Sequence, residues 1–279
     1  TRIVNRKAFY ALLLALVLPL TCYLVVKKFS ETAIEMPRRY FTDSTETDTV
    51  NGKLYTDTIW HQIPNFTFTN QLGKKVSLSD LTYVKDGDTL NKIIVADFFF
   101  THCPTICPGM TVNMRRLQTS INNSQRVGNT TPDFIHFISF SIDPERDSVQ
   151  QLKKWADRYQ INPEMWWLLT GDKKKIYDLS LNEMKLIAVD GENVDSNFIH
   201  TDKFVLIDGN HVIRGYYNGL DSASLARLSE DIIFLSLEKD RTKKGFLTGK
   251  LELIAVVFLL TLVALGIFLI ILRKTKPTK

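Results

Sequence analysis

A short apolar strand that leads into two cysteines constrains the fold of this chain more than any other feature. The run Val-Ala-Asp-Phe-Phe-Phe at 95–100 is typical of a buried strand, and Cys103 and Cys107 follow it with three residues between them. After the second cysteine, apolar residues recur at helical spacing, at Met110, Met114, Leu117 and Ile121. The pattern predicts a strand, a turn that carries both cysteines, and a helix.

Strands and helices alternate along the chain on either side of this unit. The predicted strands are 93–99, 134–142, 166–169, 200–207 and 212–217, and the predicted helices are one that ends near Asn123, 143–159, 173–181 and 222–238. An earlier hairpin is predicted at 66–69 and 75–78. Alternation that closes with a hairpin and a helix is typical of a thioredoxin-like α/β domain, which we place at residues 55–240.

Two long apolar runs bracket this region. Ala8–Val26 contains no charged residue, and Leu251–Leu272 contains only Glu252. Each is long enough to cross a hydrocarbon core of roughly 30 Å as a helix. We therefore predict an N-terminal tail and transmembrane helix (1–28), a stalk and linker (29–54), and a C-terminal transmembrane helix with a basic tail (241–279).

The basic N-terminus also suits a cleaved signal peptide, and Cys22 suits lipoprotein processing. The apolar run continues past Cys22 without a small-residue cleavage site, which favours a retained anchor. The formal net charge of +5 comes from the two tails, so it gives no support for nucleic-acid binding. Basic tails favour the cytoplasm, which places the domain on the periplasmic (outer) face of the inner membrane.

The cysteine turn can support more than one chemistry. If Cys107 lies in the first helical turn, the two sulfurs are i, i+4 neighbours close to backbone N–H groups that favour thiolate. Such a pair can bind a soft metal or form a disulfide, and two buried small hydrophobic residues are the simplest alternative. With only three cysteines, the chain is not a disulfide-stapled scaffold.

A third metal ligand would come from the five histidines. His200 is favoured by spacing, because the start of the penultimate strand can lie beside the cysteine turn. His102 is adjacent to Cys103 and is expected to point away from it. His136 is interpreted as a satisfied sheet histidine and His211 as a solvated residue of a hairpin turn, and His61 lies before the first predicted strand with no partner in the sequence.

Other residues near these motifs have simpler interpretations. Met110 and Met114 are soft donors, but packing of an amphipathic helix explains them. Asp143 and Asp147 flank Pro144 at a predicted helix N-terminus, where we interpret them as caps whose charge suits the helix dipole. An acidic surface near a metal site is the alternative for these two aspartates.

Three motifs together resemble the Sco/SenC family. They are Phe-Phe-Thr-His-Cys-Pro-Thr-Ile-Cys-Pro at 99–108, Ser-Ile-Asp-Pro-Glu-Arg-Asp at 141–147, and His-Thr at 200–201. The resemblance covers roughly residues 65–237. It implies a membrane-anchored, thioredoxin-like copper protein that assists assembly of the CuA centre of cytochrome c oxidase. It also implies that Cys103, Cys107 and His200 bind copper as Cu(I) or Cu(II). The predicted second span departs from the family's usual single anchor.

Three functions follow from these expectations. A metallochaperone would pass copper by ligand exchange to the copper-accepting subunit of an oxidase or another respiratory complex, without covalent turnover and therefore not as an enzyme. A thiol-disulfide oxidoreductase would use the same two cysteines to reduce a disulfide of the acceptor through a mixed disulfide. Two anchors would also suit an accessory or structural subunit of a membrane complex.

Overall fold

The computed structural model describes residues 36–50, 53–85, 87–124, 133–186 and 201–238, and three helical positions near the N-terminus, Thr21, Val25 and Lys28. In these residues, no helix is both long and apolar enough to cross a bilayer. The two predicted spans, apart from Thr21 and Val25, and the predicted ligand His200 lie outside the described residues.

A seven-stranded mixed sheet forms the centre of the fold. Its strands are β3 (Thr67–Asn70), β4 (Lys75–Ser77), β7 (Ile93–Phe99), β8 (Ile135–Ser141), β9 (Trp166–Thr170), β10 (Lys203–Ile207) and β11 (Ile213–Asn218). Their order is β11-β10-β7-β8-β9-β3-β4. β7, β8 and β9 are parallel, and the outer pairs are antiparallel.

Four α-helices are described: α1 (Ile106–Ser124), α2 (Val149–Tyr159), α3 (Lys173–Asp178) and α4 (Ser222–Leu237). A π-helical turn, Leu179–Glu183, continues α3, and a 3-10 turn, Leu78–Asp80, follows β4. A small hairpin of β5 (Thr82–Lys85) and β6 (Asp88–Asn91) precedes β7. These elements confirm the predicted α/β alternation.

The core lies on the central parallel strands. All seven residues of β7 and all seven of β8 are buried. Parallel strands that are covered on both faces are apolar throughout, which is why the sequence of β7 reads as one continuous apolar run. Met110 and Met114 of α1 are buried in this core, as predicted. Phe99 packs against Trp155 of α2, so this helix covers the end of β7 next to the cysteines.

The structure differs from the prediction at residues 42–60. The sequence analysis placed a linker up to residue 54, whereas the structure has an antiparallel hairpin of β1 (Thr42–Val50) and β2 (Lys53–Trp60). The sequence analysis missed these strands because their residues are mostly polar. Threonines nevertheless pair across the two strands, Thr45 with Thr58 and Thr47 with Thr56. The register leaves Asn-Gly as a two-residue connection, a strong signal for a hairpin.

Residues 36–41, called here the strap, run beside β11. The backbone N–H of Tyr40 donates to a β11 carbonyl at 2.9 Å. The buried Arg214 of β11 donates through Nε and Nη2 to the carbonyl of Pro37, at 3.0 and 2.6 Å. Its Nη1 pairs with Asp208 at 2.8 Å. A planar guanidinium can make all these bonds at once, so this one side chain ties the strap to the sheet.

Candidate dithiol site

The two cysteines lie where β7 ends and α1 begins, as predicted. The backbone N–H of Cys103 donates to the carbonyl of Phe100 at 3.2 Å, which closes a tight turn after the strand. α1 starts at Ile106, so Cys107 is in its first turn. The backbone N–H of Cys107 donates to Sγ of Cys103 at 3.4 Å. Neither cysteine forms a disulfide, and both are buried, with relative exposures of 4% for Cys103 and 2% for Cys107.

The expected thiolate character is wrong for Cys107. Burial raises the pKa of its thiol well above the ordinary value, and the neighbouring Cys103 raises it further. The negative charge of Asp97 adds a smaller increase to the same pKa. The N-terminus of the helix does not compensate, because desolvation of an anion in an apolar core outweighs a partial dipole charge. Without a bound cation, Cys107 is therefore a protonated thiol at neutral pH.

Asp97 is a buried carboxyl group on β7, next to Ser139 in the parallel register with β8. Burial raises its pKa to about 7, while a hydrogen bond with Ser139 opposes the rise. Its Oδ1 atom has no hydrogen-bond partner among the described residues. Ser139 also accepts a hydrogen bond from Trp166 Nε1 at 2.9 Å, so the polar atoms of this region are connected. Sequence reasoning missed Asp97 because it lies inside an apolar strand.

Asp147 joins two loops at the cysteine end of the sheet. Its carboxylate accepts hydrogen bonds from the backbone N–H of Thr101 at 3.0 Å and from the Thr101 hydroxyl at 2.5 Å. Ser141 of β8 donates a further bond at 2.6 Å. The prediction that Asp147 caps a helix is wrong, because the N-cap of α2 is Ser148, which accepts from Gln151.

Asp143 likewise does not start a helix. Its carboxylate pairs with the guanidinium of Arg146 three residues later, and its backbone N–H donates to the hydroxyl of Ser141 at 3.2 Å. The segment 143–147 is therefore a turn with three acids and one arginine, which is linked through Ser141 and Asp147 to the cysteine loop. Both aspartates are buried, so they form neither a helix cap nor the acidic surface that the sequence analysis gave as the alternative.

His102 stands at the surface beside the buried thiols. Its side chain is 48% exposed, and Nδ1 lies 3.1 Å from the hydroxyl of Thr101 and 3.7 Å from Oδ1 of Asp147. Across the described residues, no group of three or more His, Cys, Asp or Glu is placed to hold a metal ion. Within that part of the chain, the soft donors at the site are the two thiols.

The structure places the start of β10 at the cysteine edge of the sheet. β10 pairs antiparallel with β7, Val205 opposite Ala96, so β10 begins where β7 ends. A Cβ added to Gly219 would lie 3.2 Å both from the carbonyl oxygen of Asp202 and from Met110 of α1. Asp202, just before β10, thus lies near the first turns of α1. His200 directly precedes these residues, and its predicted role as a ligand stays a prediction.

The remaining histidines lie away from the thiols. His136 is buried in β8 against Trp167, and neither ring nitrogen has a hydrogen-bond partner in the described part of the chain. The interpretation of His136 as a satisfied sheet histidine is therefore wrong. His61 is not isolated, because it bridges Asp43 of β1 at 3.0 Å and Glu183 at 3.2 Å, which holds the β1–β2 hairpin to the body.

Comparison with known proteins identifies this arrangement. Residues 60–232 match the SCO1/SenC family model. The chain belongs to the SCO1/SenC family. It is 33% identical over 182 residues to the SCO1 protein homolog of Bacillus subtilis, covering 65% of this chain and 86% of that protein. The family match begins at the end of β2, so most of the β1–β2 hairpin precedes it.

Solved structures of relatives agree in fold. The structure in which a disulfide switch was identified in BsSco, a member of the Sco family of cytochrome c oxidase assembly proteins, is 32% identical. Its TM-score is 0.51, covering 66% of this chain and 98% of that chain. A SCO1/SenC family lipoprotein from Bacillus anthracis is 29% identical, with a TM-score of 0.50, covering 63% of this chain and 95% of that one. The thioredoxin-like α/β fold predicted from the sequence is confirmed.

Proposed function

We propose that this chain is a membrane-anchored copper-binding protein that delivers copper to the CuA site of a cytochrome c oxidase during assembly. The observation that carries the proposal is the pair of buried cysteines, without a disulfide, where β7 meets α1, with the backbone N–H of Cys107 on Sγ of Cys103. Membership of the SCO1/SenC family supports it, as does the similarity to BsSco, a member of the Sco family of cytochrome c oxidase assembly proteins.

The donors fit copper. Thiolates are soft ligands that prefer Cu(I), and an imidazole from His200 would complete a three-coordinate site that also accepts Cu(II). The start of β10 and Asp202 lie at the same edge of the sheet as the thiols, which supports His200 in this role. Copper would be the cargo, and it would leave when cysteines of the acceptor replace Cys103 and Cys107 one at a time.

The chain's own residues prepare the site for such exchange. Burial raises the pKa of Cys107, so loading with copper must release the thiol proton to solvent. Burial also keeps bulk water from both sulfurs, which are 4% and 2% exposed. Asp147 holds the backbone of Thr101 two residues before Cys103, and so fixes the loop that carries the first sulfur.

We further propose the organisation predicted from the apolar runs: anchors within 1–28 and 241–279, and the domain on the periplasmic face of the cytoplasmic membrane. A Bacillus anthracis relative is a lipoprotein, and such proteins are attached to membranes. Attachment at both ends would keep the dithiol beside membrane-embedded respiratory complexes.

A thiol-disulfide oxidoreductase is the second candidate. Two buried cysteines four residues apart, with no disulfide between them, favour it, and the disulfide switch identified in BsSco is the same type of chemistry. In this reaction, a thiolate of Cys103 or Cys107 would attack a disulfide of the acceptor, and the other thiol would resolve the mixed disulfide. Two electrons and two protons would pass from the pair to the acceptor.

Copper stoichiometry of the purified, reduced full chain tests the proposal. We expect about one copper per chain for the wild type, and none in the Cys103→Ser/Cys107→Ser double variant. Cys22→Ser is the matched control, because it removes the remaining cysteine. Stoichiometric copper in the double variant would refute the proposal.

A second variant separates the two candidate functions. His200→Ala should weaken Cu(II) binding but leave most of any disulfide reductase activity. Loss of reductase activity in the double serine variant, together with unchanged copper binding, would favour the oxidoreductase.

A further inference from the structure

The exposed imidazole of His102 has a defined orientation because of its neighbours. The Thr101 hydroxyl has one hydrogen to donate, and it donates that hydrogen to the Asp147 carboxylate at 2.5 Å. The same hydroxyl oxygen lies 3.1 Å from Nδ1 of His102, so it can only accept there. Nδ1 of His102 must then carry the ring proton, and Nε2 is left with a free lone pair.

This arrangement has the form found at metal-binding histidines. Histidine ligands usually donate the ring N–H that faces the protein to a carboxylate, a carbonyl or water, which fixes the tautomer and raises the basicity of the other nitrogen. Here, the chain from His102 through Thr101 to Asp147 supplies that support. Asp147 is fully buried, so the support for the imidazole is rigid. The His102 side chain is 48% exposed, so the free ring nitrogen is on a residue that solvent can reach.

The charges around His102 favour a cation. Oδ1 of Asp147 lies 3.7 Å from Nδ1 of His102, and no lysine or arginine among the described residues pairs with this carboxylate. The neighbouring turn at 143–147 adds two more acids, but Asp143 is paired with Arg146 and Glu145 lies 3.8 Å from Lys173. The negative charge that a copper ion meets beside His102 is therefore that of Asp147.

The two thiols alone do not offer such a landing point. Both cysteines are buried, whereas the side chain of His102 is 48% exposed. We propose that Nε2 of His102, held by Thr101 and Asp147, is the entry ligand that first receives the copper ion and passes it to Cys103 and Cys107. This inference rests on the proposed function. In the transfer, the Cu–N bond breaks, two Cu–S bonds form, and the thiol protons go to water, with no change in the oxidation state of copper.

The tautomer can be tested without copper. In ¹⁵N-detected imidazole spectra of the full chain at pH 8, His102 should be in the Nδ1–H form. Thr101→Val should shift it to the Nε2–H form that free imidazole prefers, because the acceptor for Nδ1–H is lost. A wild-type His102 in the Nε2–H form overturns the inference.

The loading rate tests the role itself. Reduced full chain is mixed with Cu(I) presented as its bathocuproine disulfonate complex, and loss of the complex's absorbance is followed in a stopped-flow instrument. His102→Asn should slow loading by about tenfold, the lower range for lost metal-site support, and leave the equilibrium copper affinity unchanged. His211→Asn is the matched control, since His211 has φ of 61°, a conformation that asparagine tolerates. It should load at the wild-type rate.

The outcomes separate this inference from the proposed function. If the wild type loads and His102→Asn loads equally fast, the entry role is refuted and the proposed function stands. If the wild type takes no copper, both are refuted. If His102→Asn loses equilibrium affinity as much as rate, His102 is a resident ligand, and the entry role is again refuted.

Discussion

Replacement of the buried Asp97 by asparagine should stabilise the protein at pH 8 far more than at pH 5. Burial raises the pKa of this carboxyl group from 3.8 to about 7. Its Oδ1 atom has no hydrogen-bond partner among the described residues, so the ionised form is poorly compensated. Asparagine has the same shape and no charge, and it can keep a hydrogen bond with Ser139. The substitution therefore isolates the cost of the charge.

The direction follows from the protons that each state binds. Between pH 3.8 and about 7, the folded protein holds a proton on Asp97 that the unfolded chain has lost. Stability from this group is therefore complete at low pH and is lost as the pH rises through this window. Integration gives a cost of about 2 kcal/mol at pH 5 and about 4 kcal/mol at pH 8. The advantage of the asparagine variant should grow by about 2–3 kcal/mol over that range.

Urea unfolding of the full chain in detergent, followed by tryptophan fluorescence at four pH values from 5 to 8, measures this difference. Asp57→Asn is a control, because Asp57 is an exposed carboxylate in β2. The control should show no pH-dependent gain. If the difference between wild type and Asp97→Asn stays constant from pH 5 to pH 8, Asp97 does not titrate in this window and the reasoning is wrong.

The same variant reports on the dithiol. The charge of Asp97 is one of the causes that raise the pKa of Cys107, so its removal should lower that pKa. Alkylation of Cys107 by iodoacetamide at pH 8, resolved by peptide mass spectrometry, should then be faster in Asp97→Asn than in wild type. Equal rates would show that the two buried groups are not coupled.

Three further substitutions test other parts of the structure. Burial lowers the pKa of His136 to about 3, so at pH 5 only the unfolded chain binds the proton. His136→Phe should therefore raise the free energy of unfolding by about 2 kcal/mol more at pH 5 than at pH 8. A pH-independent difference in urea unfolding would contradict this. Asp147→Asn should lower the free energy of unfolding by about 2–4 kcal/mol and speed amide exchange at Thr101, because charge-assisted hydrogen bonds to Thr101 are lost. Unchanged exchange at Thr101 would count against the link between Asp147 and the cysteine loop. Arg214→Lys should lower the free energy of unfolding by about 2–3 kcal/mol and increase amide exchange in the strap, because lysine cannot bind Pro37 and Asp208 at the same time. Amide protection of the strap equal to that of the wild type would refute the role of the guanidinium.

Local sequence patterns predicted the elements whose residues follow a regular apolar pattern. The apolar run before Cys103 predicted β7 with its observed bounds, and the spacing after Cys107 predicted α1. The same patterns missed the β1–β2 hairpin, because its residues are polar and its strength comes from cross-strand threonine pairs and a two-residue connection.

The site was predictable only in part. The two thiols were found from their spacing, but their protonation was not, since burial overrides the effect of the helix N-terminus. Asp147 was misread as a cap because its partner, Thr101, is 46 positions away in the sequence. Contacts over such separations depend on the register of β7 and β8, which no local pattern encodes.

The attachment of Pro37 to Arg214 also limits how far the dithiol can travel. If the proposed N-terminal anchor ends near Lys28, the residues up to Pro37 span at most roughly 30 Å even when fully extended. A free linker up to residue 54 would have reached roughly 90 Å. The volume that the domain can sweep is then smaller by a factor of about 30, and its effective concentration towards a membrane-bound acceptor is higher by the same factor. A guanidinium far from the thiols would thus set how often they meet their target.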